Sequence, residues 1–256
     1  MVGILLADSH CHIDMLPSPR EAVERALKNG VTHVLTNATG SGSIARSLGL
    51  SRMLGEGKDA AAVKCAIGIH PGNVLKMAAP ELESAFLEVE HGLPQAAAVG
   101  EVGLDFKYAK TQEQRALQES VFGKFVSMAQ NAGKPVVVHA RYSETRCLDI
   151  LEEMGAERVQ MHWFTNSRKT AARAVSLGYY ISCGPIILSD VQSAEVVKGI
   201  PLESLLLETD APVQFLGEVS EPSWIPLVCK KVAELKGVGF DEVARATSRN
   251  FSRLFK

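Results

Sequence analysis

The stretch ILLADSHCHID, residues 4–14, opens on a short apolar run and ends in two histidines one residue apart. An apolar run of this length, bounded by polar residues, reads as a strand buried on both faces. The pattern of Ile4–Ser9 recurs along the chain at Val31–Thr36, Val63–Ile69, Ala96–Val102, Pro135–His139, Val159–Trp163, Tyr179–Cys183 and Leu205–Thr209. Amphipathic segments lie between these runs. The clearest, Thr111–Ala132, places Leu117, Val121, Phe125 and Met128 on one stripe. Pro19, Pro80 and Pro222 stand where helices begin, and Gly30, Gly133, Gly155 and Gly178 where they end. Eight βα units in succession leave a closed barrel or a doubly wound open sheet. A dinucleotide-binding sheet would carry a glycine-rich phosphate loop where DSHCHID stands. The expected fold is therefore α/β, a single (β/α)8 TIM barrel forming one domain over residues 1–256. A last helix, Phe240–Leu254, is expected to pack as a lid on the outside of the barrel.

Composition narrows the functional classes. Hydrophobic residues make up 46% and charged residues 22%, which is enough apolar material for a sizeable core. The formal charge of -2 argues against a surface that grips nucleic acid over its whole extent, though a local basic rim remains compatible with it. Five cysteines at 11, 65, 147, 183 and 229 form no CxxC pair and read as buried thiols of a reducing compartment. The opening MVGILLAD lacks a basic segment and meets Asp8 at once, so neither a signal peptide nor a membrane span is expected. A cytoplasmic protein with no membrane association and no obligate protein partner is the expectation.

In such a barrel the reaction site lies at the C-terminal ends of the strands. Every histidine except His33 is read at or just beyond a strand end: His10 and His12 after the first, His70 after the third, His139 and His162 after the fifth and sixth. Glu101 and Asp210 end the fourth and eighth. Alternation along a strand puts His10 and His12 on one face, with Cys11 turned toward the helices. Asp8 and Asp14 share that parity and are expected to orient the imidazoles as outer acceptors. Each histidine alone is more often a hydrogen-bonded core or surface residue, and both carboxylates are also suited to capping the next helix. What joins them is the closed barrel, which brings all these ends around one mouth. Four imidazoles and two carboxylates suit two cations: His10, His12 and Asp210 on one, His139 and His162 on the other, and Glu101 between.

In order and spacing, DSHCHID, AIGIHPG, VGEVGLDF, KPVVVHAR, MHWFTNS, LLLETDAP and RNFSRLF strongly resemble the TatD family of metal-dependent deoxyribonucleases, within the amidohydrolase-like barrel superfamily. The resemblance implies His10, His12, Glu101, His139, His162 and Asp210 as metal ligands, DNA or another phosphodiester as substrate, and Mg²⁺ or Mn²⁺ as working ions. It marks Arg141 and His70 as substrate contacts and Asp105 as a supporting carboxylate. Trp163-Phe164-Thr165 after His162, Lys107 after Phe106 and Val213 after TDAP depart from the family's usual pocket wall. Many binuclear amidohydrolases bridge their metals with a carboxylated lysine ending strand four. Glu101 at that place favours the nuclease branch.

An imidazole-rich donor set prefers Zn²⁺, Mn²⁺ or Ni²⁺ to Mg²⁺. A purified sample is thus expected to carry Zn²⁺ or no metal, with activity appearing on Mg²⁺ or Mn²⁺. The leading expectation is a two-metal deoxyribonuclease in which Asp210 takes the proton of the attacking water, Glu101 joins the two halves, and Glu208 holds the polar network beneath. The same centre could instead hydrolyse an amide or carboxylic ester, for example of an aminoacyl-nucleic acid. A binding scaffold with a structural metal is the third reading.

Overall fold

The computed structural model describes residues 5–55, 60–215 and 217–256. Ile4, where the first strand was expected to start, lies outside them. Eight parallel strands follow one another in space as in sequence: β1 Leu6–Cys11, β2 Val31–Asn37, β3 Ala62–Ile67, β4 Ala98–Asp105, β5 Val136–Arg141, β6 Val159–Met161, β7 Tyr180–Cys183 and β8 Leu205–Leu207. Helices α1 Pro19–Lys28, α2 Ser41–Gly55, α3 Pro71–Val74, α4 Ala79–Gly92, α5 Gln112–Asn131, α6 Glu144–Glu153, α7 Arg168–Ser176, α8 Val191–Gly199, α9 Ile225–Lys236 and α10 Phe240–Leu254 surround the strands. The result is the expected (β/α)8 barrel. A short antiparallel pair, β9 Gln214–Phe215 with β10 Glu218–Val219, follows β8 and was not foreseen.

The barrel closes differently from its other joins. Beyond the end of β8 the Asp210 N–H donates to the His10 carbonyl at 2.9 Å, and the His12 N–H donates to the Ala211 carbonyl at 2.7 Å. The Asp8 carboxylate adds to this seam by accepting from the Thr209 N–H at 3.1 Å and the Thr209 hydroxyl at 2.5 Å. The register of β1 on β2 shifts between Asp8 and Cys11. Simple alternation therefore fails here: Ser9 points inward to Gln160, and Asp8 reaches Thr209, not an imidazole.

Strand limits shift where the site is built. β6 and β8 are three residues each, shorter than expected, although the next N–H of each still donates to its neighbour, His162 to the Val138 carbonyl and Glu208 to the Cys183 carbonyl. β4 runs on to Asp105, so Glu101 sits within a strand buried along its whole length. Gly103 lets β4 pass close to β5: its φ is +140°, and a Cβ there would stand 2.1 Å from the His139 carbonyl oxygen.

Helix α5 begins in a capping box between Thr111 and Gln114. Its buried face is Gln118, Val121, Phe122, Phe125, Val126 and Ala129. Leu117, expected inside, is 37% exposed, because the inward turn starts one residue later. His91 lies in the last turn of α4, not near a strand end.

Helix α10 packs against the helix layer through Val243 and Ala244, and its last turn crosses the N-terminal end of the barrel. Phe251, Leu254 and Phe255 pack with Ala7, Leu35, Ala66, Ala98, Val137 and Leu206, one residue from each of six strands. The three alanines leave room for the aromatic rings at the N-terminal end. Asn250 donates to the carbonyls of Leu202 and Leu205, Lys64 to that of Phe255, and Arg158 to that of Leu254. The helix therefore stoppers the N-terminal end, opposite the histidines. Among the described residues, no helix is long and apolar enough to cross a membrane.

Candidate metal centre

The expected site residues come together at the C-terminal mouth. On one side, Nε2 of His10 lies 3.6 Å from Oε2 of Glu101 and 3.5 Å from Oδ1 of Asp210. Nε2 of His12 lies 3.5 and 3.3 Å from the same two oxygens. On the other side, Oε1 of Glu101 lies 2.7 Å from Nδ1 of His139 and 3.0 Å from Nε2 of His162, and those nitrogens are 3.3 Å apart.

These residues fit metal ions on two counts. Donor atoms about 2.1 Å from a tetrahedral cation stand roughly 3.4 Å from one another, and the four separations of the first group run from 3.3 to 3.6 Å. Both ring nitrogens of His10 are also buried without a hydrogen-bond partner. Such an imidazole is costly unless something else takes its lone pair. Among the described residues, His10 with His12 and Asp210, and His10 with Glu101 and His162, form groups able to hold an ion.

Outer contacts aim several of the rings. Nδ1 of His12 is 2.7 Å from the Asn37 carbonyl oxygen, which turns Nε2 to the mouth. Nε2 of His139 is 3.1 Å from Oδ2 of Asp105, leaving Nδ1 toward Glu101. Asp105 is held in turn by the N–H groups of Lys107 and Tyr108. Glu208 is fully buried below, accepting from the Trp163 N–H at 2.6 Å and the Ser182 hydroxyl at 2.5 Å. Gln160 ties Ser182 to Ser9. Asp14 is buried with one oxygen unpartnered, and its carboxylate, like that of Asp8, bonds no imidazole.

Charge at the mouth is strongly coupled. Burial opposes the ionised form of Glu101, yet His162, His70, His10 and His139 around it hold its carboxyl well below the usual range. Burial likewise opposes charge on His12, but Asp210, Glu101 and the Asn37 carbonyl lift it to about 9. His139 and His162 are raised against the same penalty, by Asp105 with Glu101 and by Glu101 with Glu208. His10 is lowered by burial and by His162. Burial takes His70 down to about 4. Nδ1 of His70 accepts from the Gly72 N–H at 2.9 Å, so its neutral ring carries the proton on Nε2, 3.7 Å from Oε1 of Glu101.

All this opens into a cleft of about 740 Å³ whose wall includes His70, Arg141, Tyr142, Trp163 and Val213. Arg141 is exposed one strand residue beyond Ala140. Among the described residues, three other than glycine have positive φ, and all stand at this mouth: Tyr142 at 57°, Trp163 at 44° and Asp210 at 48°. Side chains rarely tolerate that region, and such strain concentrates at functional sites.

Residues 7–256 match the family model described as TatD related DNase. The chain belongs to the TatD-related DNase family. This TatD-family chain is 32% identical to human deoxyribonuclease TATDN3 over 99% of its own length and 95% of that protein's. It is 30% identical to the uncharacterized metal-dependent hydrolase YabD of Bacillus subtilis strain 168, over 98% and 99%. The crystal structure of YJJV, the TatD homologue of Escherichia coli K12, superposes with a TM-score of 0.85 at 29% identity, covering 98% of this chain and 97% of that one. The chain is a metal-dependent hydrolase of the TatD family on an amidohydrolase-like barrel.

Several supporting residues were not foreseen. Gln118 accepts from the Asp105 N–H and donates to the Pro71 carbonyl, both at 3.0 Å, pinning the His70 loop to β4. The available signal was an amide within the apolar spacing of Val121, Phe122 and Phe125. Asn37 acts through its backbone and left no mark in the sequence.

Proposed function

We propose that the chain is a deoxyribonuclease that cleaves phosphodiester bonds with two divalent cations. The supporting observation is the split of Glu101, with Oε2 toward His10 and His12 and Oε1 toward His139 and His162. His10, His12 and Asp210 would hold one ion and His139 and His162 the other, with Glu101 shared. Bound there, the pair supplies an acidified water and positive charge for the phosphoryl oxygens.

The side chains do the rest. Asp210, held by its strained backbone with Oδ1 toward both imidazoles of the first group, accepts the proton of the attacking water. The Arg141 guanidinium at the cleft wall grips a phosphate oxygen. The Nε2–H of His70 donates to substrate on the side of the second group. Asp105 and Glu208 keep His139 and the turn after His162 in place.

Incubation with DNA, a phosphodiester dye and an acyl ester, each with Mg²⁺, Mn²⁺ or Zn²⁺, tests the reading. DNA and the dye should be cleaved, chelation should abolish cleavage, and Mg²⁺ or Mn²⁺ should restore it. Turnover of the acyl ester alone would refute the nuclease reading and favour the amide or ester hydrolase.

A further inference from the structure

Trp163 is built into the mouth in a way that core packing does not require. It directly follows His162 and has a φ of 44°. Its N–H is fixed on Glu208 at 2.6 Å. Its ring lies against Gly184, where a Cβ would stand 2.9 Å from Cζ3 and 3.1 Å from Cε3. The indole is thus seated on a residue without a side chain, and it also lines the cleft beside the metal-binding groups. Trp163 is absent from both hydrophobic clusters. At the end of the neighbouring strand Tyr142, with φ 57°, lines the same cleft and is 72% exposed. Two large aromatics held in strained backbone around a cleft, beside an arginine, are the parts of a site for a flat ring next to an anion.

We propose that Trp163, seated on Gly184, is a stacking platform for an unpaired nucleobase adjoining the scissile phosphate, with Tyr142 as an outer aromatic contact. The inference rests on the nuclease reading for the phosphate and adds recognition of the base. A cleft of about 740 Å³ has the size of a small-molecule site, which suits a single nucleotide. Stacking tolerates any base because every base has a π-face.

Trp163 and Trp224 are the two tryptophans of the chain, so Trp224→Phe leaves Trp163 as the sole indole reporter. In this chain with Mg²⁺, deoxyadenosine monophosphate should quench that fluorescence and 2-deoxyribose 5-phosphate should not. Gly184→Ala, which pushes the ring from its seat, should weaken nucleotide binding at least about five-fold, as removal of a stacking aromatic does. Trp163→Phe should retain most of the base dependence and Trp163→Ala should lose it.

A short oligonucleotide and its counterpart abasic beside the cleaved bond supply the second readout. The parent protein should favour the base-bearing strand in kcat/KM, and Trp163→Ala should bring the ratio toward one. Equal binding of nucleotide and sugar phosphate, or no binding of either, overturns the platform. So does equal cleavage of the two strands, which leaves the nuclease reading standing. Base-dependent quenching without cleavage of any nucleic acid would uphold the platform and remove the nuclease reading.

Discussion

The two ends of the barrel are made from the same eight strands and obey opposite rules. At the N-terminal end Phe251, Leu254 and Phe255 fill the space left by Ala7, Ala66 and Ala98, and long cations satisfy the last carbonyls. At the C-terminal end two imidazole nitrogens of His10 are buried without partners, three residues other than glycine are strained, and two carboxylates share one small volume. One end is relaxed and apolar, the other polar and strained. The contrast separates what holds the barrel together from what it works with, because a protein tolerates strain and unsatisfied groups mainly where they are used.

Exchanging one atom at the mouth should give the largest effect. Asp210→Asn keeps the shape and removes the proton acceptor, so kcat should fall roughly 10²–10⁴-fold. Metal analysis of the same sample should still find the ion assigned to Glu101, His139 and His162. A kcat within about threefold of the parent would show that Asp210 is not the base.

The opposite end should respond in the opposite currency. Phe251→Ala should cost about 3–5 kcal/mol of stability, read from the denaturant midpoint. Where the variant is folded, its kcat and metal content should match the parent. A loss of metal would show that the two ends are coupled and the contrast is false.

Protons and cations should compete at the mouth alone. His12, lifted to about 9, holds a proton near neutral pH that an ion must displace, and His139 and His162 are raised in the same direction. Metal affinity should therefore fall as pH is lowered from 9, by about tenfold per pH unit for each proton displaced. Calorimetry in two buffers of different ionisation enthalpy counts those protons, and a count of zero contradicts the electrostatics described.

At the seam between the ends, burial and the charge of Glu208 push Asp8 up to about 8 against the bonds from Thr209 and His10. Its raised folded pKa favours the folded state at low pH, and that advantage is lost as pH rises from about 4 toward 8. Asp8→Asn in the metal-free protein should flatten the slope of stability in that window by up to about 1.4 kcal/mol per pH unit. An unchanged slope would mean that Asp8 is ionised in the fold. Arg141→Lys should act least, raising KM for DNA a few-fold while metal affinity stays the same.

The features legible in the sequence are those that repeat over a few residues. Short apolar runs gave the eight strands, and a titratable residue after such a run marked His139, His162 and Asp210, because the barrel converts ends of strands into neighbours. Asp8 was misplaced because a register shift in β1 breaks alternation at that point. The position of α10 depends on three alanines in separate strands, which no local period reveals. The seat of Trp163 on Gly184 is equally nonlocal, and Leu117 was misjudged because α5 turns inward at Gln118.

The seam has a further meaning for motion. Neighbouring strands from β1 through β8 are joined by ladders, with register shifts between β1 and β2 and between β4 and β5, whereas β8 meets β1 through single bonds of His10, His12, Asp210 and Ala211 and through the Asp8–Thr209 contact, 201 residues apart. The join most ready to breathe is therefore formed by residues that themselves carry donor atoms. Hydrogen exchange at the amides of His12, Thr209 and Asp210 would report the opening of the sheet and the loosening of the first ion site as one event. An ion seated between those strands would act as a clasp, slowing exchange there and leaving the stoppered end of the barrel untouched.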